Sequence, residues 1–585
     1  MTMSIPAATA PLQPSDIDRV TRASRYWLLG ATLALAACSS TPLPPWPVSG
    51  TTGAASLSTN PTTPATPDTA AVATTSPIAP AAQLEALPYS GAIGQWFPAP
   101  AHQYQTPGLV QPTPGLTSNA ALERTLTQLA QQHLQSPVRI GVLKSGSSQQ
   151  SQPLLTVVAT RAPAISPLAL DESGRPNVLV VAGQQGTDGA ATEAVLVLAQ
   201  ELTPGGLLTP LLDKINVILV PRANPDGFEQ GTASTANGTD LRYDHLQLST
   251  PEARFLAKLV RDYRPAVLLD AGEFPAMDST ADSLGAVRAS DMGLQYTLTP
   301  NSNEFIAKAA REWLHLPVAQ ALQAAALRAD WAAHAVNTST GAGYAMDTLA
   351  PTTLINTAGL KNVTALHLQS RGSDLQATHL QRRVDSHVQS MTAALQSAAQ
   401  RADDLRKVQS FVARDVASHA CRGTLVVHAQ PSAQSKVVPL LERSSAQLLP
   451  TAVPWISSLE PSSRHTRMHA CGYWLSANAV QAGERLSMMG VQVQRVAELA
   501  PLQAQTYESS ILETATNSQQ QIDTARSTME AVPGSFYVSM NQPLAFLAAA
   551  ALEPDSPYSF YRNDILSLGD IARIVLTPNL VFEDE

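Results

Sequence analysis

Charged side chains are scarce in this sequence of 585 residues, where Asp, Glu, Lys and Arg together make up 14%. Soluble domains usually carry about 25%. No Lys or Arg occurs between Arg25 and Arg124, no basic run is present, and the formal net charge is -9. Because nucleic-acid binding needs a clustered positive surface, we expect no nucleic-acid partner.

The first apolar run is too short to cross a membrane. Residues 26–37 form a run of twelve, whereas a transmembrane helix needs about 20 residues. The run follows Arg19, Arg22 and Arg25 and ends in Leu35-Ala-Ala-Cys38. Such an arrangement is typical of a secretory signal peptide, here residues 1–38.

The end of this run resembles a bacterial lipobox. The resemblance implies that Cys38 is lipidated and becomes the mature N-terminus, so that a membrane is a partner through the lipid anchor. Ser39 stands where an Asp would favour retention in the inner membrane. The implied location is therefore the outer membrane, as a lipoprotein facing the periplasm. The alternative is a short buried helix with an ordinary core cysteine.

Cysteine is rare, with three in the chain. This number in so long a sequence excludes a small fold held by disulfides. Three cysteines cannot all pair with one another, and lipidation of Cys38 accounts for the odd one. In an oxidising compartment the other two, Cys421 and Cys471, are predicted to form a disulfide. The alternative is two unpaired buried thiols.

Residues 39–90 are rich in Ser, Thr, Pro and Ala and almost free of charge. A segment of this composition cannot bury enough apolar surface to offset the entropy lost on ordering. We predict a disordered, extended tether that holds the folded part away from the membrane.

Beyond about residue 120, short apolar runs alternate with helical patterns. The predicted strands are Leu154–Ala159, Asn177–Gly183, Ile215–Val220, Ala266–Asp270 and Thr364–Leu368. The predicted helices are Ala190–Leu202, Pro251–Tyr263, Asn303–Ala329 and His379–Gln400. Thr250 is predicted to be the N-cap of the second of these helices. This alternation predicts an α/β fold over residues 91–405, with a mostly parallel mixed sheet and helices on both faces. A smaller C-terminal α/β domain is predicted over residues 406–585.

Five stretches carry a family resemblance. They are Val180–Glu193, Val220–Gly227, Asn237–His245, Leu269–Phe274 and Gly359–Gly372. In this order they resemble the zinc metallocarboxypeptidases of the carboxypeptidase A type, and the resemblance implies the fold of that family. Members of that family hydrolyse peptides with a zinc ion that has three protein ligands and an open position for water. The resemblance therefore implies this activity.

The positions that the resemblance assigns to the zinc ligands are substituted here. They carry Gln185, Asp188 and Gly272. A Gln amide is a poor zinc donor, glycine offers no side chain, and only the carboxylate of Asp188 could bind a metal.

The catalytic and substrate-binding positions differ as well. Gln369 stands where the family has its general base Glu, and a carboxamide cannot take up the proton. Arg242 and Tyr243 stand where the family has an Asn-Arg pair that binds the terminal carboxylate of the substrate.

Other residues in these stretches are predicted to have structural roles. His367 is expected to be a packed strand residue, and His245 is expected to cap or pack beside Asp244. Arg371 is expected to pair with a carboxylate. Asn224-Pro-Asp-Gly227 is expected to form a tight turn.

Three functional hypotheses follow. The first is a cell-envelope lipoprotein whose carboxypeptidase-like domain binds peptides or peptidoglycan fragments without hydrolysing them, and which has no cofactor. The second is an active metallocarboxypeptidase that holds zinc through unconventional ligands such as Asp188, Glu273 or a nearby His. The third is a structural envelope protein whose cleft binds nothing.

Overall fold

The computed structural model describes residues 88–110, 115–513 and 518–583. The predicted signal peptide with Cys38, and the predicted tether up to residue 87, lie outside the described residues. The lipid anchor and the disorder of the tether therefore stay predictions. Within the described ranges, no helix has the length and apolar character needed to cross a membrane.

Nineteen strands occur in the described residues. In chain order they are β1 (Arg139–Ser147), β2 (Pro153–Thr160), β3 (Asn177–Ala182), β4 (Asn216–Val220), β5 (Val267–Phe274), β6 (Ala286–Arg288), β7 (Met292–Tyr296), β8 (Ala329–Trp331), β9 (Ala333–Thr338), β10 (Gly341–Met346), β11 (Thr364–Arg371), β12 (Thr424–Glu442), β13 (Leu448–Met468), β14 (Gly472–Leu475), β15 (Gln494–Arg495), β16 (Ala500–Glu513), β17 (Ser518–Ala531), β18 (Phe536–Ser539) and β19 (Ile571–Ile574).

The α-helices of the described residues are mostly short. They are α1 (Gly91–Gly94), α2 (Asn119–Gln132), α3 (Pro167–Glu172), α4 (Gly189–Glu201), α5 (Pro225–Gln230), α6 (Pro251–Tyr263), α7 (Ser279–Ser283), α8 (Glu304–Ala309), α9 (Leu316–Ala324), α10 (Leu354–Leu360), α11 (Leu380–Gln400), α12 (Ala402–Ser418), α13 (Val480–Met489) and α14 (Ala545–Leu552). The 3₁₀ helices are Thr209–Asp213, Leu241–Tyr243 and Leu568–Asp570.

The largest sheet has eight strands in the order β1-β2-β4-β3-β5-β11-β7-β8. Its four central strands, β4, β3, β5 and β11, run parallel, whereas β1, β2 and β7 pair antiparallel with their inner neighbours. Fully buried strands such as β3 are typical of a sheet covered on both faces. The predicted mixed α/β fold is confirmed.

Helices cover the two faces of this sheet. Glu273 of β5 bonds Arg383 of α11. Leu268 lies on the opposite face of the same strand, because side chains alternate along a strand. It belongs to the hydrophobic cluster that contains Leu256 of α6 and Ile355 of α10.

The predicted helix over residues 303–329 is interrupted. It consists of α8, a π-helical turn over Ala310–His315, and α9, which ends at Ala324. Pro317 lies in the first turn of α9 and has no amide hydrogen to donate. A π turn just before it is one way in which a helix accommodates a missing bond.

Two long hairpins were not predicted. One joins β12 to β13 and the other β16 to β17. Their exposed stretches are rich in Ser, Gln and Ala and lack a sustained apolar alternation, which is the main sequence signal for a strand. The hairpin of β12 and β13 belongs to a five-stranded sheet in the order β6-β12-β13-β10-β9. One sheet therefore combines strands from both sides of residue 406, and the predicted domain boundary there stays untested.

The last part of the chain forms a six-stranded sheet in the order β15-β18-β14-β19-β16-β17. Cys421 follows α12 and Cys471 precedes β14, and the two residues form a disulfide. This is the pairing expected from the sequence. The hydrophobic cluster that includes Leu268 continues into this part through Tyr473 of β14 and Leu547 of α14.

The segment before α2 is fastened to the main sheet by a buried carboxylate. Glu193 of α4 is fully buried. It accepts hydrogen bonds from the backbone and hydroxyl of Thr117 at 2.6 and 2.8 Å, and from the hydroxyl of Thr106. Burial raises the pKa of Glu193 despite these bonds. The bonds satisfy a polar group that would be costly to bury alone.

The entry into α6 depends on Asp244. Its Oδ1 accepts from the backbone and hydroxyl of Ser249 at 2.8 and 2.7 Å, and its Oδ2 accepts from the same groups of Thr250 at 2.8 and 2.7 Å. Thr250 is the N-cap residue of α6, as the sequence predicts. One buried carboxylate thus fixes the loop that connects the candidate site to this helix.

We expect Asp244→Ala to lower the free energy of unfolding by about 2–4 kcal/mol, because it leaves several buried donors without an acceptor. Chemical denaturation monitored by circular dichroism measures the change. Asp523→Ala is the matched control, since Asp523 is exposed on β17, and its effect should be within about 0.5 kcal/mol. Equal effects of the two substitutions would contradict the role assigned to Asp244.

Candidate active site

The site residues predicted from the sequence meet at the carboxyl ends of the central parallel strands. We call this region the cleft. Gln185 and Asp188 lie in the loop between β3 and α4, Gly272 lies in β5, and Gln369 lies in β11. The register of β5 and β11 places Gln369 directly beside Gly272. Ligand sites of parallel α/β sheets form at this edge.

Asp188 is held by two backbone amides. Its Oδ2 accepts from the amide of Gln185 and its Oδ1 from the amide of Glu273, both at 3.1 Å. The side chain is 2% exposed. Burial, and then the nearby carboxylate of Glu273, raise the pKa of Asp188 well above its usual value. The group therefore resists taking the charged form that a metal ligand needs.

Gly272 leaves room for a side chain. A Cβ at this position would lie 3.4 Å from Oδ2 of Asp188 and 3.6 Å from Cε1 of His367, which are ordinary contact distances. The backbone is not in the left-handed region at this residue. Neither backbone conformation nor crowding of the Cβ thus requires glycine here.

Gln369, Arg242 and Tyr243 line a small cavity of about 20 Å³. That volume accommodates about one water molecule. Arg242 forms an ion pair with Asp240 at 2.7 Å, and its guanidinium lies 5.3 Å from the centre of the Tyr243 ring. Tyr243 is 41% exposed, so the cavity opens beside an accessible aromatic ring. The other lining residues are Asp270, Asp347, Thr348, Thr353, Ile355 and His367.

A buried ion pair forms the floor of this cavity. Nδ1 of His367 lies 2.9 Å from Oδ2 of Asp270, and its Nε2 lies 3.8 Å from Oδ2 of Asp347. Burial alone would lower the pKa of His367, but the carboxylate of Asp270 raises it to about 9. The protonated imidazole in turn lowers the pKa of Asp270, although burial opposes the shift. The pair is charged at neutral pH.

Hydrogen bonds extend this pair to His245. The side-chain amide of Gln184 donates to Oδ1 of Asp270 at 2.6 Å, and Nε2 of His245 lies 2.6 Å from the Gln184 oxygen. Since that oxygen only accepts, Nε2 carries the proton. Burial lowers the pKa of His245 to about 4, so its ring is neutral at neutral pH. His245 thus bonds Gln184, and the expected packing beside Asp244 is not its main contact.

Glu273 is committed to the fold. It forms a salt bridge with Arg383 of α11, with Nε of the arginine 2.9 Å from Oε2, and its Oε1 accepts from the amide of Ala190 at 2.8 Å. Both side chains are almost completely buried. Removing either partner would leave a buried charge without compensation.

Two other predictions differ from the structure. Arg371 donates to the hydroxyl of Tyr89 at 3.0 Å and lies 4.0 Å above the ring of Phe97, so an aromatic contact replaces the expected carboxylate. Asn224 and Pro225 begin the short helix α5 in place of a tight turn, because the Asn224 side chain caps the amide of Gly227 at 2.9 Å.

The donor set does not fit a zinc ion. Of the three positions that the sequence resemblance assigns to zinc ligands, only Asp188 has an ionisable side chain, and it already accepts two amide hydrogen bonds. Across the described ranges, no group of three or more His, Cys, Asp or Glu side chains is arranged to hold a metal ion. A protein zinc site needs at least three such ligands.

The sequence missed the connections among these polar groups. The chain from His245 through Gln184 and Asp270 to His367 joins residues far apart in sequence, and no spacing rule links them. One signal was available, since Asp270 and His367 occur within otherwise apolar buried strands. Ionisable residues in such positions are usually paired.

Part of the chain matches a known family. Residues 123–248 match the Peptidase_M14 family, described as zinc carboxypeptidase. Carboxypeptidase 2 of Trichophyton rubrum is 22% identical over 66% of this chain and 73% of its own length. Carboxypeptidase 2 of Trichophyton tonsurans is 21% identical over 79% of this chain and 87% of its own length. The chain is therefore similar to zinc carboxypeptidases over part of its length.

Solved structures show weaker similarity. The carboxypeptidase A of Helicoverpa armigera is 14% identical, with a TM-score of 0.36, over 49% of this chain and 75% of that chain. A metallo-carboxypeptidase from Burkholderia cenocepacia is also 14% identical, with a TM-score of 0.34, over 47% of this chain and 68% of that chain.

The ion pair of His367 should make stability depend on pH. The folded-state pKa of about 9 lies above the unfolded value of about 6.5, so the stabilisation is complete below pH 6.5 and is lost as pH rises through 9. The difference in unfolding free energy between the natural chain and His367→Gln should fall by about 2–3 kcal/mol over this range. Denaturant titrations at a series of pH values measure it.

His334→Gln serves as the control for this pH series, because His334 is exposed on β9. The difference in unfolding free energy between His334→Gln and the natural chain should not change with pH over the same range. A difference for His367→Gln that is also constant from pH 6 to 10 would show that the imidazole is not charged in the folded state.

Proposed function

We propose that this relative of the zinc carboxypeptidases is a non-catalytic, outer-membrane lipoprotein that binds peptides or peptidoglycan fragments in its cleft. One observation carries the proposal: the three positions expected to hold zinc offer a single ionisable side chain, that of Asp188. Its two oxygens already accept hydrogen bonds from backbone amides.

The proton-transfer chemistry is also missing from the cleft. Peptide hydrolysis in this family needs a base that takes a proton from water and passes it to the leaving amine, a contribution of about 10²- to 10⁴-fold. Gln369 occupies that position beside Gly272 and cannot be protonated at neutral pH. His367 lies nearby, but its ring is already protonated through Asp270 and cannot act as a base.

The cleft retains groups that suit a peptide end. Arg242 is a guanidinium at the cavity wall, and guanidinium groups bind carboxylates through paired hydrogen bonds. Nε and one terminal nitrogen of Arg242 already donate hydrogen bonds to Asp240. A ligand carboxylate would accept from the remaining N–H groups of the guanidinium. The exposed ring of Tyr243 can stack on an adjacent side chain. The hydroxyls of Thr348 and Thr353 add hydrogen-bonding partners.

The proposed location agrees with such a ligand. Lipidation of Cys38 and an extended tether over residues 39–90 would hold the folded part in the periplasm, close to the cell wall. Peptidoglycan carries short peptides that end in free carboxylates, which is the chemistry that Arg242 could bind.

An active metallocarboxypeptidase is the second candidate. The observation in its favour is that the fungal relatives are named carboxypeptidase 2 and resemble this chain over most of their length. The comparisons support this candidate better than the binding hypothesis, whereas the side chains of the cleft favour binding. An active enzyme would need His367 or another side chain to bind zinc together with Asp188. Glu273 is unsuitable as a ligand while it pairs with Arg383.

Restoring the family residues separates these two candidates. The variant carries Gln185→His, Gly272→His and Gln369→Glu, and the space around Gly272 accepts the added Cβ. We expect the natural chain to contain less than about 0.1 zinc per molecule by mass spectrometry and to leave C-terminal residues of test peptides intact. The restored variant should bind about one zinc.

The matched control has the same three changes at exposed positions, Gln150→His, Gly569→His and Gln447→Glu. It should bind no more zinc than the natural chain. Stoichiometric zinc together with hydrolysis by the natural chain would establish the second candidate and refute ours.

Peptide binding can be measured directly by thermal denaturation. Short peptides with a free terminal carboxylate should raise the melting temperature, because a ligand at 100 times its Kd stabilises a protein by about 2.7 kcal/mol. The same peptides with an amidated terminus should have a smaller effect. Arg242→Gln should abolish the difference between the two, and Arg526→Gln, at an exposed position on β17, should leave it unchanged. Absence of any shift would favour a purely structural protein.

A further inference from the structure

A large cavity lies away from the cleft. It is a groove of about 940 Å³ between the end of α6, the residues before β11, helix α12, and the segments that follow α13 and precede α14. Lys361, Asn362 and Val363 lie in it just before the first residue of β11. The groove therefore opens at the amino ends of the parallel strands, whereas the cleft lies at their carboxyl ends.

Part of β11 separates the two sites. Val363 lines the groove and His367 lines the cavity of the cleft, and four residues of strand at about 3.3 Å each span about 13 Å. No residue lines both the groove and the cavity of the cleft. A ligand of the groove would not touch the residues assigned above to peptide binding.

The groove is strongly positive in a protein of net negative charge. Six cationic side chains and two acidic ones line it, while the whole chain has a net charge of -9. The acidic residues are Asp171 and Asp403. The cationic residues are Arg261, Arg264, Lys361, Arg406, Lys407 and Arg414.

Most of this charge is not neutralised within the protein. Arg264 pairs with Asp171 at 3.1 Å, and Arg261 pairs with Asp262 at 2.8 Å. Arg406 donates to the carbonyl of Gly174, and Arg414 to the hydroxyl of Ser410, both of which are neutral. Lys407 has no ion pair with a described residue.

Lys361 is the most enclosed of these cations. It is half-buried in the groove, and its ammonium has no ion-pair or hydrogen-bond partner among the described residues. Burial, and then repulsion from Arg261, lower its pKa to about 7. An anion bound beside Lys361 would offset the effects of burial and of Arg261 on its pKa, because an opposite charge favours the protonated amine.

The lining also contains apolar side chains. Val260, Val363, Met489 and Leu544 form part of its wall. A groove with several guanidinium groups and an apolar wall suits a ligand that combines an oxyanion with a hydrocarbon part. Four of the six cations are arginines, whose planar donors bind phosphate through paired hydrogen bonds.

We propose that this groove is a second binding site, which takes a ligand bearing one or more phosphate groups. When Asp171, Asp403 and Asp262 are counted against the six cations, an excess of three positive charges remains, which favours phosphate over carboxylate. A phosphate monoester carries about -1.5 to -2 at pH 7, so two phosphates match that excess, whereas three carboxylates would be needed. The phosphate could belong to a soluble ester or to the headgroup of a lipid.

Calorimetric titration of the full-length chain with inorganic pyrophosphate tests the soluble source. Sedimentation with vesicles of phosphatidylglycerol, compared with vesicles of phosphatidylcholine, tests the lipid source in the Cys38→Ser chain, which carries no lipid anchor. We expect binding in at least one of the two assays. Citrate, a tricarboxylate, should bind at least ten times more weakly than pyrophosphate.

Two sets of substitutions locate the binding. Arg406→Gln with Lys407→Gln changes exposed residues of α12 and should preserve the fold. Lys361→Met removes the enclosed amine. Each should raise the Kd at least tenfold. The control, Arg422→Gln with Arg526→Gln, removes the same charge at exposed positions outside the groove and should change the Kd less than twofold.

Each outcome bears on the proposal. Pyrophosphate binding that depends on the groove residues identifies a soluble ligand class, and groove-dependent binding to phosphatidylglycerol alone identifies lipid headgroups. The proposal is overturned by the absence of binding in both assays, by equal affinity for citrate, or by groove variants that bind like the control. Peptide binding in the cleft is tested separately and does not affect this result.

Discussion

The parallel pairing of β5 with β11 determines where the groups of the cleft lie. Its register sets His367 beside Asp270 and Gln369 beside Gly272. Because side chains alternate along each strand, the same register directs Glu273 toward α11 and Leu268 toward α6 and α10. A shift of one residue would bury the wrong side chains on both faces. The cleft and the core on either side of the sheet therefore depend on one set of backbone hydrogen bonds.

Buried ionisable groups in this region have partners within the protein. Asp270 is balanced by His367 and Glu273 by Arg383, and the side chain of Asp188 accepts hydrogen bonds from two backbone amides. Such pairs stabilise a fold only when geometry and hydrogen bonding offset the loss of hydration. A family site built around zinc would use similar carboxylates and imidazoles as ligands. Here the same kinds of groups are engaged with one another.

The two edges of the sheet differ in chemical character. The cleft at the carboxyl ends is small and contains both signs of charge, whereas the groove at the amino ends is large and positive. Residues from the C-terminal part of the chain, such as Gln542 and Leu544, complete the wall of the groove. The C-terminal part therefore contributes to a surface that the central sheet could not form alone.

The sequence by itself determined the α/β class, the position of β3, the first part of β5 and of β11, and the cap of α6 by Thr250. These features rest on local patterns, since apolar runs, capping residues and short motifs act over a few neighbours. That Gln185, Gly272 and Gln369 replace residues of a family site stays a prediction. Only the tertiary structure decided that His245 bonds Gln184, that His367 is charged through Asp270, and that six cations surround one groove. These contacts join residues distant in sequence, and burial sets their protonation, which no local pattern encodes.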